Sequence, residues 1–222
     1  MDSEQTSLEL RAARHAALGD AVRLRIVDLL ALGDLPVGEI RADLGIPANL
    51  LSHHLTVLRA VGILGERRSQ GDGRRKYLTL LQSQIPQPST LPIRARRVLF
   101  VCTGNSARSP LAALLWQRVS PIPATSAGTR PAPAVADIGR QVAARHGLDL
   151  GGHHPRKMTE TIQDGDVVVS LCDRAHESMG SANPVHWSIP NPTPIGTVEA
   201  YETALAEIER RVRNLAPHVV AA

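Results

Sequence analysis

The sequence predicts two domains: an N-terminal winged helix-turn-helix, mainly α with a β-hairpin wing, and a C-terminal α/β domain with a four-stranded parallel sheet flanked by helices. Three observations predict it. Helical apolar spacing runs to about residue 60 and gives way to two basic, strand-like runs around a Gly-containing turn. A stretch with three prolines, few charges and no periodicity follows at 82–95. From Arg96 onward, short apolar runs alternate with helical patterns, as crossover helices on a parallel sheet require. The expected boundaries are 1–81 for the first domain, 82–95 for an exposed, semi-extended linker, and 96–222 for the second domain.

In the first domain, Leu8, Ala12, Ala16 and Leu18 mark a helix over 5–18 that ends near Gly19. Asp20 is placed to cap the next helix, where Val22, Ile26, Leu29 and Leu30 share a face. A short helix follows over 36–44, and another runs from about Pro47 to Ala60, closed by Gly62. In that last helix Leu51, Leu55 and Leu58 form the apolar stripe, supplemented by Leu50 and Val57. Asn49, Ser52, Thr56 and Arg59 form a second stripe, with His53 beside it. This stripe is polar but nearly uncharged, and its donors and acceptors suit the reading of base edges. Residues 63–69 and 74–80 flank Gln70-Gly-Asp-Gly73 as a hairpin whose arms carry Arg67, Arg68, Arg74, Arg75 and Lys76. The polar helix would enter a major groove while the wing cations hold phosphates. The plainer alternative is a helical core with a solvated, charged hairpin.

Residues 17–30 (Ala-Leu-Gly-Asp-Ala-Val-Arg-Leu-Arg-Ile-Val-Asp-Leu-Leu) and 51–64 (Leu-Ser-His-His-Leu-Thr-Val-Leu-Arg-Ala-Val-Gly-Ile-Leu) resemble the arsenic-repressor (ArsR) family of winged-helix regulators. The resemblance covers roughly residues 8–80. It implies a homodimer that binds double-stranded operator DNA, represses its own operon and is released by an inducer. Many members sense As(III) through a Cys-x-Cys pair at the start of the third helix, where this chain has Leu35-Pro36-Val37-Gly38. No cysteine precedes Cys102, and the adjacent His53 and His54 point about 100° apart on a helix, so no metal site is expected. The linker leaves no room for a long helix after the wing, so a dimer must lean on the first helix or on the second domain.

The second domain is read as strands at 97–102, 123–127, 166–172 and 184–189. Its helices fall near 110–119, 133–146, 156–163 and 197–216, the last with Val198, Tyr201, Leu205, Ile208, Val212 and Leu215 on one stripe. Between the first strand and the first helix lies Cys102-Thr-Gly-Asn-Ser-Ala-Arg108-Ser109. Such a loop can wrap the N–H groups of Thr103, Gly104, Asn105, Ser106, Ala107 and Arg108 around a tetrahedral oxyanion at a helix N-terminus. The same field favours Cys102 as a thiolate. Arg108 can grip two anion oxygens in a fork, Ser109 suits the N-cap, and Pro110 suits the first helical position.

This loop, with Ser126-Ala-Gly-Thr129, the segment from His154 to Lys157, and His186-Trp-Ser-Ile-Pro-Asn-Pro192, resembles the low-molecular-weight tyrosine phosphatase superfamily over residues 96–217. The wording of the loop looks most like the arsenate reductase branch. The resemblance implies that Cys102 is the nucleophile on phosphorus or arsenic and that Arg108 clamps the equatorial oxygens. It further implies that Asn105 braces the loop and that Ser109 helps stabilise the sulfur anion. The superfamily's general-acid Asp stands where this chain has Asn191, before Pro192, and Thr193 and Pro194 replace the usual aromatic residues that follow. Tyrosine phosphatase activity is therefore disfavoured. Cys172 stands where reductases carry a second thiol, and Met179 stands where they carry a third. A Cys102–Cys172 disulfide, resolution by an external thiol, and an inert buried Cys172 all remain open.

Composition frames these expectations. Aromatics are 2% of 222 residues, so Leu, Val, Ile and Ala should build the cores. A pI of about 9.7 with clustered arginines indicates a polyanion partner. Two cysteines, no long apolar stretch and no signal pattern indicate a cytoplasmic protein with functional thiols and no membrane span. The functional expectation is a DNA-binding regulator fused to a domain that binds arsenate or phosphate and reduces arsenate. It would hold no cofactor, and a low-molecular-weight thiol or a redoxin would supply electrons. The alternatives are a phosphatase, or a weakened catalyst whose oxyanion occupancy controls DNA release.

Overall fold

The computed structural model describes residues 2–81, 92–180 and 185–222, with backbone alone for residues 2–7. Two compact units form, Met1–Arg68 with Arg74–Thr90, and Ser69–Gly73 with Leu91–Ala222.

The first unit opens with α1 (Asp2–Leu18), which leaves Leu8 and Leu10 exposed and buries Ala17. Helix α2 (Ala21–Leu30) starts where Asp20 accepts a hydrogen bond from the Arg23 N–H, as the sequence predicts. Strand β1 (Leu35–Pro36) then precedes α3 (Val37–Leu44), which ends at Gly45 in the left-handed conformation. Helix α4 spans Ala48–Ala60, and β2 (Leu64–Arg68) pairs antiparallel with β3 (Lys76–Leu80), Arg68 opposite Lys76. The wing is thus the predicted hairpin, extended to three strands in the order β1-β3-β2. Sequence reasoning missed β1 because two residues carry no period, and its proline is tolerated because β1 is an edge. Ile26, Val27, Leu30, Ile40, Leu51, Leu55, Leu58, Ile63 and Leu78 form the core, each such aliphatic side chain contributing about 1.5–3 kcal/mol on full burial. Leu50, expected to supplement the apolar stripe, is exposed.

The second unit begins with β4 (Ile93–Ala95), which corrects part of the linker expectation: this segment pairs in parallel with β9 (Val219–Ala221), and Ala95 is buried. Residues 82–91 of the expected linker lie outside the described residues. Strand β5 (Arg97–Cys102) leads to α5 (Arg108–Gln117), followed by β6 (Ala124–Gly128), α6 (Asp137–Arg145) and the one-turn α7 (Met158–Thr161). Then come β7 (Asp166–Ser170), α8 (Asp173–Met179), β8 (Val185–His186) and α9 (Val198–Leu215). The main sheet has the order β6-β5-β7-β8, all parallel, which is the predicted four-stranded sheet. Central β5 is buried from Val98 to Cys102, as a strand covered on both faces must be. The predicted stripe of α9 is buried at Tyr201, Leu205, Ile208, Val212 and Leu215. Leu, Val, Ile and Ala make up most of the buried core, as expected, and a few aromatics join it here: Phe100 meets Trp116 and Trp187 at ring separations of 5.8 and 5.9 Å. The chain's one Phe and two Trp are therefore concentrated at the centre of a single core.

Candidate active site and nucleic-acid interface

The oxyanion loop springs from the carboxyl end of β5, where ligands bind in open α/β sheets. The carbonyl oxygens of Cys102, Thr103, Gly104 and Ser106 accept N–H groups of Thr129, Arg130, Ala132 and Ala136 at 2.8–3.1 Å. A peptide's C=O and N–H point in opposite directions. Tying these carbonyls outward therefore turns the following N–H groups inward, and that of Asn105 reaches Cys102 Sγ at 3.2 Å. Asn105 adopts a left-handed φ of 49°, uncommon for a residue with a side chain. Gly128 lies so close that an added Cβ would sit 2.7 Å from the Thr103 carbonyl.

Asn105 is buried and fully used. Its Nδ2 donates to Ser109 and Ser126 Oγ, both at 2.9 Å, while its Oδ1 accepts from the Arg156 N–H at 2.9 Å. The ring Nε2 of His153 lies 3.2 Å from the same Oδ1. Ser109 Oγ stands 3.1 Å from Cys102 Sγ. Ser109 does not cap α5 as expected: the helix begins two residues earlier than expected, at Arg108, with Ala107 in the cap position. Those extra residues carry the hydroxyl into the helix's first turn, facing the sulfur. Arg108 is buried and donates from Nη1 to the Ile189 carbonyl at 2.8 Å, which fixes it at the cleft wall. Sequence reasoning missed His153, which sits just before the singled-out His154–Lys157. Burial, followed by the nearby Arg156, His154 and Arg140, holds its imidazole below the ordinary pKa against the opposing Asn105 bond. His153 is thus kept neutral, with an N–H to give to Asn105.

The cleft also exposes Cys172, Asn191, Thr193 and Ile195. Cys172 follows β7, beside β5, and its Sγ lies 3.3 Å from Thr103 Oγ1. Both cysteines are buried and reduced. Asn191 Oδ1 accepts from the Thr193 N–H at 3.4 Å, and Tyr201 Oη donates to Thr193 Oγ1 at 3.3 Å, so α9 anchors this wall.

In the first unit, Asn49, Ser52, His53, Thr56 and Arg59 are all exposed on one side of α4, opposite its buried leucines. His54 is buried instead, with Nδ1 3.6 Å from Asp20. Arg68, Arg74, Arg75 and Lys76 are exposed on the wing and Arg67 is half-buried. Glu66 ties one residue of the expected base-reading stripe, Arg59 at 2.8 Å, and one expected phosphate contact, Lys76 at 2.7 Å. Among the described residues, no group of three or more His, Cys, Asp or Glu is arranged to hold a metal ion, and no helix is long and apolar enough to cross a membrane.

Known proteins match each half. Low molecular weight protein-tyrosine-phosphatase Etp of Escherichia coli K12 is 37% identical over 86 residues, covering 36% of this chain and 56% of that protein. The chain thus spans about half the length of this curated relative. The uncharacterised HTH-type regulator MT0088 of Mycobacterium tuberculosis is 34% identical over 100 residues, covering 45% of this chain and 82% of the regulator. Among solved structures, arsenate reductase from Archaeoglobus fulgidus is 33% identical over 54% of this chain and 98% of that one, with a TM-score of 0.48. Tyrosine phosphatase Wzb from Escherichia coli K30 shares the fold at 23% identity and TM-score 0.50, over 55% and 97% of the two chains. One family match ends just inside β2 of the wing, at residue 65, and the other begins with β5, at residue 97. Over residues 97–222 the chain belongs to the low molecular weight phosphotyrosine protein phosphatase family, and its residues 20–65 are those of a bacterial regulatory protein of the arsR family.

Proposed function

We propose that the protein is an operator-binding regulator whose second domain captures arsenate or phosphate at Cys102–Arg108 and reduces arsenate with thiols. One observation carries this reading: the cleft holds two cysteines at the ends of neighbouring strands but an amide, Asn191, where ester hydrolysis needs an acid. Cys102 Sγ attacks arsenic, and water leaves to give a thiol–arsenate ester. The inward N–H groups and Arg108 hold the oxygens, and the donors at Asn105 and Ser109 receive charge on the sulfur. A second thiol then attacks Cys102 Sγ. The S–As bond breaks with its electron pair on arsenic, which leaves as As(III), and a disulfide forms. Cys172 or an external small thiol supplies that attack, and a small thiol or redoxin restores the dithiol.

In the first domain, Asn49, Ser52, His53, Thr56 and Arg59 read bases, and Arg67, Arg68, Arg74, Arg75 and Lys76 hold phosphates of duplex DNA. The arsR-family match favours a homodimer, and the exposed Leu8 of α1 offers a second copy an apolar contact. The phosphatase reading is favoured by the family match alone.

The test assays arsenate reduction with thiol donors and binding to upstream DNA on one preparation, with Cys102→Ser as control. Thiol-dependent arsenite formation abolished in the variant supports the reductase. Equal rates in both leave only a binding role, and hydrolysis of aryl phosphate without arsenite formation favours the phosphatase. Failure to retain any upstream fragment at low salt overturns the regulator.

A further inference from the structure

Beside the cleft, outside the oxyanion loop, lies a buried polar group that the proposed chemistry does not use. His186 of β8 pairs in register with Ser170, the last residue of β7. Its Nδ1 lies 2.9 Å from Ser170 Oγ, and its Nε2 lies 3.1 Å from Asp173 Oδ1, at the start of α8. His186 and Asp173 are each only 3% exposed. The half-buried His176 stacks on His186 with ring centroids 4.1 Å apart and places Nδ1 3.2 Å from the same Ser170 hydroxyl. Burial pushes the Asp173 carboxyl up, but hydrogen bonds from His186, from the Gln70 N–H at 2.7 Å and from Ser188 hold it below the ordinary carboxylate range. An ionised Asp173 only accepts, so His186 Nε2 carries the proton and donates.

Ser170 and Asp173 flank Leu171-Cys172, so one imidazole grips both ends of the segment that carries the second thiol. Within it, the Leu171 N–H donates to the Val101 carbonyl at 2.7 Å, and Cys172 is extended. The Cys172 sulfur faces Thr103, whereas Cys102 faces Asn105 and Ser109. The two thiols are thus unbonded and have different partners at rest, and their pairing requires Cys172 Sγ to leave Thr103 and Cys102 Sγ to leave Asn105 and Ser109.

We propose that His186 is a positioning residue for Cys172: by bridging Ser170 and Asp173 it latches the second thiol against Thr103 and away from Cys102. The latch sets when the second thiol is released; its consequence for turnover rests on the arsenate reading above.

The full chain, reduced and freed of reductant, is oxidised with diamide, which takes two protons and two electrons from two thiols, becoming a hydrazine, and leaves a disulfide. His186→Phe should form the Cys102–Cys172 disulfide faster by about tenfold or more, the equivalent of one lost hydrogen bond to a charged group. In the Cys102→Ser background the same change should speed iodoacetamide alkylation of Cys172 to a similar degree. His186→Gln, whose amide nitrogen can replace Nε2 as donor to Asp173, should return both rates toward wild type. Inorganic phosphate should protect Cys102 from alkylation equally in all three, a readout that general loosening would not spare. Wild-type rates in His186→Phe overturn the latch, as do rates in His186→Gln as fast as in His186→Phe, or phosphate protection lost in step with the rates. If His186→Phe does not fold, Ser170→Ala removes the ring's other anchor, and Asp173→Ala removes the Nε2 contact together with the Gln70 and Ser188 bonds to that carboxylate. Faster disulfide formation in both supports the latch, and wild-type rates in either overturn it. Arsenate in place of diamide tests the reductase separately: no disulfide in the wild type counts against that reading and leaves the diamide rates to decide on His186.

Discussion

A carboxylic acid at position 191 could deliver a proton to the oxygen leaving phosphorus, whereas the amide of Asn191 has none to give. General acid catalysis contributes about 10²–10⁴-fold, so Asn191→Asp should raise aryl phosphate hydrolysis by about 10²-fold with oxyanion inhibition unchanged. An unchanged rate would show that the amide is not what limits hydrolysis. His153 makes a different prediction. Its pKa is depressed in the fold, chiefly by burial, so the neutral ring is the favoured form. Above the unfolded value of 6.5 both states are neutral and its contribution is complete. As pH falls through that value the unfolded chain takes up a proton first, and stability drops until the folded ring also titrates. His153→Gln keeps a donor toward Asn105 without a titrating group, so this part of the pH dependence of the melting temperature should flatten. Cys102 and Arg108 were legible because their order on a strand–loop–helix is itself the chemistry, whereas the parts of Asn105 and Ser109 came from the family resemblance and the cap read from Ser109's position did not form. His153 and Ser126 were harder to see, since their roles arise only when positions 48 and 21 residues further along the chain fold back onto Asn105.

At the level of elements, the helix-turn-helix, the wing and the parallel sheet were legible because each carries a period of 3.6 or 2 over several residues. The elements that escaped, β1, β4, α8 and β9, have two to seven residues and take their conformation from a partner rather than from local pattern. Strand β4 shows this most plainly: Ile93-Arg-Ala95 follows a proline-rich stretch and reads as linker until Val219–Ala221 pairs with it. The wing also holds an interaction invisible to spacing. Glu66 sits directly between Arg59 of α4 and Lys76 of β3, and the Lys76 hydrogen bond leads the charges that hold its carboxyl low. It therefore stays ionised at neutral pH and engages two cations that DNA would otherwise claim. Glu66→Gln should free both, tightening duplex binding about two- to tenfold and steepening the dependence of log K on log salt. Fluorescence anisotropy across a salt series measures both quantities, and an unchanged slope would remove Lys76 from the phosphate contacts.

For the whole chain, the distribution of thiols constrains how an arsR-type domain without cysteine can respond to arsenic. Both cysteines and the oxyanion loop belong to the second unit, while the polar stripe of α4 and the arginines of the wing strands belong to the first. If occupancy of the loop alters DNA affinity by some factor, operator DNA must alter oxyanion affinity by the same factor, because both describe one coupling free energy. Typical couplings are about fivefold or more, large enough to read in either direction. Phosphate or arsenate should therefore weaken retention of upstream DNA, and saturating DNA should weaken oxyanion protection of Cys102 against alkylation to an equal degree. Arg108→Ala, which removes the clamp but leaves every proposed DNA contact intact, should abolish both effects together while leaving basal DNA binding in place. Coupling seen with arsenate under reducing conditions but not with phosphate would assign the signal to As(III) made at the site rather than to occupancy of the loop. Equal responses to the two anions would make occupancy the signal and turnover incidental to it.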